Sequence, residues 1–436
     1  MSFSLRRNSA WQLLQTLSGT GTELAIVLIV AAIRPPAEFG ALAVALSGAK
    51  LVYLLFEPRI HEFLTPKLAR YLGRHEASAW ACTVWSRTIE QRFNLGAFLV
   101  CLAVALLLPR FSLSISSGLF AGCACYGLAN TYLKFSSLAV YRCLGDVHVA
   151  AWYAIAGGVL KLFALGVCLY GGTSIETLVL ALALPTALVS WGHAHSAISR
   201  LAARAGHVVR TRMPRLRPAN RARQMRLLAS HYASGLIEIG HREMDVQLIA
   251  WLGGTAEAGH YRLAKTMAML MLEALNPIVL LLLPEFARRM AAAQRQGLPA
   301  FVRRITLLFA GLGMVGAPLV LGVSFAYLSW FATWQFASWK PLLVLVVGFA
   351  LLSPIMWAQA YLIAAGQPQA YLTASLAGAF LALVIAAVLI GPLGAVGSAL
   401  AHCAGLALAT CLAALVALRG VRELQAAARG TKIGSP

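Results

Sequence analysis

Residues 230–289 read SHYASGLIEIGHREMDVQLIAWLGGTAEAGHYRLAKTMAMLMLEALNPIVLLLLPEFARR, and they pack Glu238, His241, Arg242, Glu243 and Asp245 into an otherwise apolar run long enough to cross a bilayer. A charge at the centre of a spanning helix costs about 2.5 to 3.5 kcal/mol on insertion scales, so four together cost roughly 10 to 14 kcal/mol. The Leu, Ile and Val side chains of residues 228–251 return only about 3.5 kcal/mol. A helix with that balance faces other helices or a wet interior rather than lipid. An ionisable cluster held there is a candidate functional site.

The rest of the chain sets this stretch among many apolar ones. Of its 436 residues 60% are hydrophobic and 12% charged, with a mean hydropathy of +0.75, whereas about a quarter of a soluble domain is charged. The composition defines an all-α polytopic membrane protein. Apolar windows recur twelve times, near 12–33, 41–64, 94–109, 113–136, 149–170, 175–196, 228–251, 261–283, 305–329, 341–364, 370–390 and 394–417. Turn residues mark the connections, among them Arg34-Pro35-Pro36, Gly145-Asp146, Gly171-Gly172, Gly253-Gly254 and Gly391-Pro392. Twelve transmembrane helices are predicted. The eight Cys stand singly or as Cys123-x-Cys125, two positions about 200 degrees apart on a helix. His193-x-His195 fails as a metal pair for the same reason, so no metal and no cofactor is expected. Arg6 and Arg7 precede a run of ordinary spanning length, as in a charged anchor rather than a cleaved signal peptide.

Lys and Arg fix the expected orientation. The N-terminal tail, the connections after even-numbered spans and the C-terminal tail hold 26 of them, against Arg34, Arg110 and Lys340 in the opposite connections. Positive-inside places both termini in the cytoplasm of a multi-pass protein. Topology thus accounts for most of the +21 net charge, and no soluble basic domain remains to bind nucleic acid. The densest run, residues 200–226, has nine Arg and no acid. It suits attraction to anionic membrane lipids at about 1 kcal/mol per charge, with docking of a cytoplasmic partner as the alternative.

An internal repeat divides the chain at this basic run. AEFGALAVA from Ala37 answers AEAGHYRLA from Ala256, Pro58 answers Pro277, PKLAR from Pro66 answers PEFAR from Pro284, and Gly145 and Gly157 answer Gly366 and Gly378, all at offsets of 218 to 221. Six spans separate the copies, so both enter the membrane in the same direction. The expected domains are an N-terminal six-helix bundle over 1–198, a basic cytoplasmic linker over 199–226, a C-terminal six-helix bundle over 227–418 and a cytoplasmic tail over 419–436. Transporters commonly place substrate at such a repeat interface.

PPAEFGALAVA at the first helix turn, YRCLG between spans four and five, and Asp245 followed by GGTAEAGHYRLAK and LLLPEFARR resemble the Wzx-type O-antigen or polysaccharide flippases. These belong to the multidrug/oligosaccharidyl-lipid/polysaccharide exporter superfamily. The resemblance runs over essentially the full length on diffuse motifs. It implies a V-shaped pair of bundles lined by spans one, two, seven and eight, flipping an undecaprenyl-diphosphate-linked oligosaccharide across the bacterial cell inner membrane by alternating access. The surface glycan would be lipopolysaccharide, capsule or exopolysaccharide. Cytoplasmic glycosyltransferases and a polysaccharide polymerase are the implied partners.

A lipid-linked sugar presents a diphosphate, which calls for cations at mid-depth. Lys50, Arg242 and Lys161 are the substrate-binding candidates, each able to bind phosphate or to pair with a neighbouring acid. Arg59 and Lys134 nearer the cytoplasm, and Arg262 and Lys265 nearer the periplasm, are expected to snorkel. Glu238, Arg242 and Asp245 recur on one helix face and suit an ion-pair ladder. Asp245, Glu273 or Glu23 is the alternative site of proton or sodium coupling, because a buried carboxylate takes up a proton more readily. His61 suits the cytoplasmic interface or a proton path. Pro58 and Pro277 are hinge candidates, each removing a backbone donor. The repeat sets Glu23 against Arg242, which suggests a gating ion pair between the lobes, or else satisfaction of each residue in its own half.

Three functions fit these residues. The flippase comes first. A multidrug or small-molecule antiporter of the same superfamily would have a more aromatic, acid-lined cavity. A glycan polymerase, ligase or glycosyltransferase would need a large extramembrane segment, and no periplasmic connection exceeds about 11 residues. The chain is therefore expected not to be an enzyme.

Overall fold

The structure is a computed structural model and describes residues 3–57, 60–72, 75–111, 115–205, 243–291 and 297–430. Among them all regular structure is helical. The first half comprises α1 (Phe3–Ile33), α2 (Pro36–Leu55), α3 (Ile60–Tyr71), α4 (Glu76–Leu107), α5 (Ser117–Thr131), α6 (Lys134–Leu144), α7 (Val147–Tyr170) and α8 (Ile175–Ala205). The second comprises α9 (243–253), α10 (Thr255–Ala291), α11 (Leu298–Trp330), α12 (Trp339–Leu352), α13 (Trp357–Ala364) and α14 (Pro368–Gly430).

Among the described residues, eight helical stretches are long and apolar enough to cross a membrane. The remaining passes are hidden by breaks and by charge. Span four is split into α5 and α6 at Leu133, whose φ of 48° is left-handed and unusual for a side chain of that size. The 63 residues of α14 hold two passes, parted at Gly394 (φ 54°, ψ −129°). The helix runs on through Gly391 and Pro392, so the turn falls just after the expected place. Helix α10 carries several charges along its length, and α9 is the described part of span seven. The fold is thus that of twelve spans in two six-helix halves.

The repeat is visible in matching local structure. Gly145 and Gly366, 221 residues apart, close α6 and α13 with φ of 79° and 73°. The amides of Asp146 and Gln367 each reach back to a carbonyl five residues earlier, Tyr141 and Leu362, at 2.9 Å. This helix-closing motif needs a left-handed residue, which glycine supplies without strain. Each half also has a dense core of buried residues. In the first, Ile60, Leu64, Leu68, Cys82, Tyr141 and Leu201 are fully or almost fully buried. In the second, Phe286, Leu298, Phe309, Trp357, Tyr361 and Ala417 are.

The chain forms two compact units, Met1–Val27 with Val44–Glu243, and Leu28–Ala43 with Met244–Pro436. The second unit therefore includes the end of α1 and the start of α2. There the Tyr327 hydroxyl donates to the Leu28 carbonyl, and Trp334 Nε1 donates to the Ala31 carbonyl at 3.2 Å. Gly40 lies so close to α10 that a Cβ on it would sit 1.7 Å from the Thr255 carbonyl oxygen. A close backbone approach through small residues is the usual way spanning helices gain contact. On the outside, Tyr170, Trp251 and Trp330 are 99%, 74% and 77% exposed at or near the ends of α7, α9 and α11. Amphipathic rings at such ends suit the membrane–water boundary.

Candidate functional site

Polar side chains inside the first unit come from α1, α2, α5, α6 and α7. Glu23, in the last third of α1, meets Lys161 of α7 at 2.7 Å and accepts from the Tyr126 hydroxyl of α5 at 2.6 Å. Lys161 Nζ lies 3.1 Å from that hydroxyl. The Lys161 side chain is 12% exposed and that of Glu23 49%, so the carboxylate is held from one side and open on the other. Lys50 of α2 pairs with Glu243, the last residue of this unit, at 2.5 Å, and Glu243 is the buried partner. Ser47, one turn before Lys50, donates to the Glu243 side chain at 3.0 Å. Lys134 opens α6 with an exposed side chain, within the electrostatic reach of Glu23, Lys161, Glu57 and Lys50.

The break in span four is braced from α4. Glu90 is almost fully buried, and its two carboxylate oxygens take the amides of Phe135 at 2.9 Å and Ser136 at 3.1 Å. These belong to the first turn of α6, where helix amides have no partner within the helix. One turn further along α4, Asn94 Nδ2 donates to the Thr131 carbonyl at the end of α5 at 3.0 Å. A single face of α4 thus satisfies both sides of the break. Arg87 completes this face by donating to the Ala194 carbonyl at 3.2 Å. His61 stacks on Phe135, centroids 5.4 Å apart.

In the second unit, donors converge on one oxygen of Asp245 in α9. Lys265 Nζ lies 2.6 Å from Oδ2, the Tyr261 hydroxyl donates to it at 2.6 Å, and His402 Nδ1 is 3.3 Å away. The other oxygen accepts from the Val246 amide at 2.8 Å. Tyr261 is fully buried and Lys265 nearly so. Lys265 therefore does not snorkel, because a carboxylate waits for it inside the bundle. Nearby, the Glu257 carboxylate accepts from the Ala395 amide at 2.8 Å and so fixes the turn at Gly394.

The structure thus brings Lys161 together with Glu23, Lys50 with Glu243, and Asp245 with Lys265, Tyr261 and His402. Glu273 lies partly buried on α10, about two turns beyond Lys265. Arg242, Glu238, Pro58 and Arg59 lie outside the described residues. Helix α10 continues as helix through Pro277. Glu23 finds its partners within its own half. Sequence reasoning passed over Glu90, Asn94, Tyr126, Tyr261 and His402. In the sequence Glu90 stands among Arg87, Gln91, Arg92 and Asn94 and does not stand out, and its partners are backbone amides, which no residue pattern displays.

The chain is similar to an inward-facing multidrug resistance MATE family transporter of the MOP superfamily, with a TM-score of 0.77 at 15% identity over 94% of this chain and 95% of that one. An outward-facing MATE family transporter matches with a TM-score of 0.67 at 15% identity, over 97% and 96%. A Vibrio cholerae MATE transporter matches with 0.64 at 16% identity, over 97% and 99%. No family model and no curated protein matches the sequence. The chain has the MATE-like transporter fold, with its two six-helix halves.

Proposed function

We propose that this protein is a membrane transporter working by alternating access, and that its cargo is an undecaprenyl-diphosphate-linked oligosaccharide for surface polysaccharide synthesis. The fold supports transport. The cargo rests on one observation, that Lys50 and Lys161 lie within electrostatic reach of Lys134 in the first unit. Lys50 and Lys161 each have a carboxylate partner, and a diphosphate is an anion that a set of lysines can attract. Proton or sodium coupling through Asp245 or Glu23, residence in the bacterial inner membrane with both termini cytoplasmic, and work beside glycosyltransferases and a polymerase belong to the same proposal.

The second reading is export of small organic molecules. The solved structures favour it over the first, since two of the similar proteins are multidrug resistance transporters. One experiment separates the two. In a strain lacking this gene, the flippase reading expects lipid-linked glycan to accumulate on the cytoplasmic face and surface polysaccharide to be lost. Unchanged surface glycan with lost ethidium efflux would replace it by the second reading. Neither change would count against transport itself.

A further inference from the structure

Glu90 differs from the other interior acids in what stands against its charge. Glu23, Glu243 and Asp245 each face a lysine ammonium, at 2.7, 2.5 and 2.6 Å. Glu90 is 1% exposed and is held by the amides of Phe135 and Ser136, and no ammonium or guanidinium of a described residue comes within ion-pair distance of it. Arg87, one turn earlier on α4, donates instead to the Ala194 carbonyl at 3.2 Å and the Ser137 hydroxyl at 3.5 Å. A proton joining any of the other three acids breaks an ion pair. A proton joining Glu90 removes a buried charge that has no cation against it. The change would be felt at the break in span four, because the two amides open α6 directly after the left-handed Leu133. On the other side of the break Asn94 holds the Thr131 carbonyl and has no charge to lose.

We propose that Glu90 is a proton-binding site that operates the break in span four. Ionised, its two oxygens clamp the start of α6 to α4. When a proton from water adds to one oxygen, that oxygen becomes a hydroxyl, the amide it served loses its acceptor, and α6 is freed to turn about Leu133. The titratable and charged groups around Glu90 are Arg87 on α4, His61 on α3, Tyr132 at the break, Lys134 and Tyr141 on α6, and His193 on α8. Helix α5 carries no Asp, Glu, Lys, Arg or His. The proposal rests on the transport reading and gives the cycle a proton-sensitive element apart from Glu23 and Asp245.

Hydrogen exchange of the full-length protein in phosphatidylcholine nanodiscs tests it, read on peptides covering the start of α6 and corrected for the intrinsic effect of pH on exchange. In wild type, protection there should fall by about tenfold between about pH 8 and about pH 5, as one acceptor is lost. Glu90→Gln cannot ionise and should show the low-pH protection throughout, without a step. His61→Gln, His193→Gln and Glu38→Gln should keep the wild-type step. Should Glu90→Gln not accumulate, Glu90→Asp takes its place and should move the midpoint of the step. No step in wild type, a step that persists in Glu90→Gln, a midpoint unmoved in Glu90→Asp, or a step that vanishes with either histidine would overturn the proposal. The readout needs no cargo. A Glu90-dependent step in a protein whose deletion changes neither surface glycan nor ethidium efflux would keep the switch and remove the transport reading. Altered glycan or efflux without a step would keep transport and remove the switch.

Discussion

Lys265 places its ammonium group 2.6 Å from the carboxylate of Asp245, with both side chains almost completely shielded. In so dry a place neither charge is tolerable without the other, and removing one partner from a buried pair typically costs about 3 to 5 kcal/mol. Asp245→Asn and Lys265→Met should each lower stability by about that amount, seen as a lower Tm in detergent. Asp245→Leu combined with Lys265→Met should recover most of it. A double variant no better than the singles would show that the pair is more than a matched set of charges.

Gly40 has no room for a side chain. A methyl group there would meet the Thr255 carbonyl oxygen at 1.7 Å, and backbone cannot swing aside as a side chain can. Gly40→Ala should destabilise by about 3 kcal/mol or more, or prevent accumulation in the membrane. Gly19 and Gly21 have nothing within 4 Å, and Gly19→Ala should be neutral or slightly stabilising. Equal expression and Tm for Gly40→Ala and Gly19→Ala would refute the close packing.

Glu90 serves the first turn of α6 with both its oxygens. Glu90→Ala leaves one buried and one partly buried amide without acceptors, at about 1 to 3 kcal/mol for a buried one. Glu90→Gln keeps one carbonyl acceptor and should lose roughly half as much. The order wild type, Gln, Ala in Tm is the expected result, and an Ala variant as stable as wild type would mean that water replaces the carboxylate.

Reporter fusions check the direction of the chain. Fusions at Gly172 and Gly254 should report the periplasm and fusions at Arg212 and Gln296 the cytoplasm, as the 26 to 3 division of Lys and Arg requires. A periplasmic signal at Arg212 would reverse both the orientation and the parallel repeat.

How much of this was legible in the sequence depended on range. Spanning windows and the glycine pair Gly145 and Gly366 were readable because hydropathy and turn chemistry are local. Breaks inside spans were not: Leu133 takes a left-handed φ with no Gly or Asn to announce it, and α4 pins the break from some forty residues away, Glu90 to Phe135 being 45 apart. Asp245 stood out as an acid in an apolar run, but its partner His402 lies on the last pass and Lys265 looked free to snorkel. Depth in a bilayer can be counted along a chain. The identity of the facing helix cannot.

The turn at Gly394 has a consequence for how the protein is made. The two final passes are joined with almost no connecting chain, an arrangement that suits insertion as a helical hairpin. The carboxylate that fastens its tip belongs to Glu257, synthesised 138 residues before Ala395. The contact joins a residue made near the start of the second half to one made near its end, so it can form only once the last pass has been synthesised.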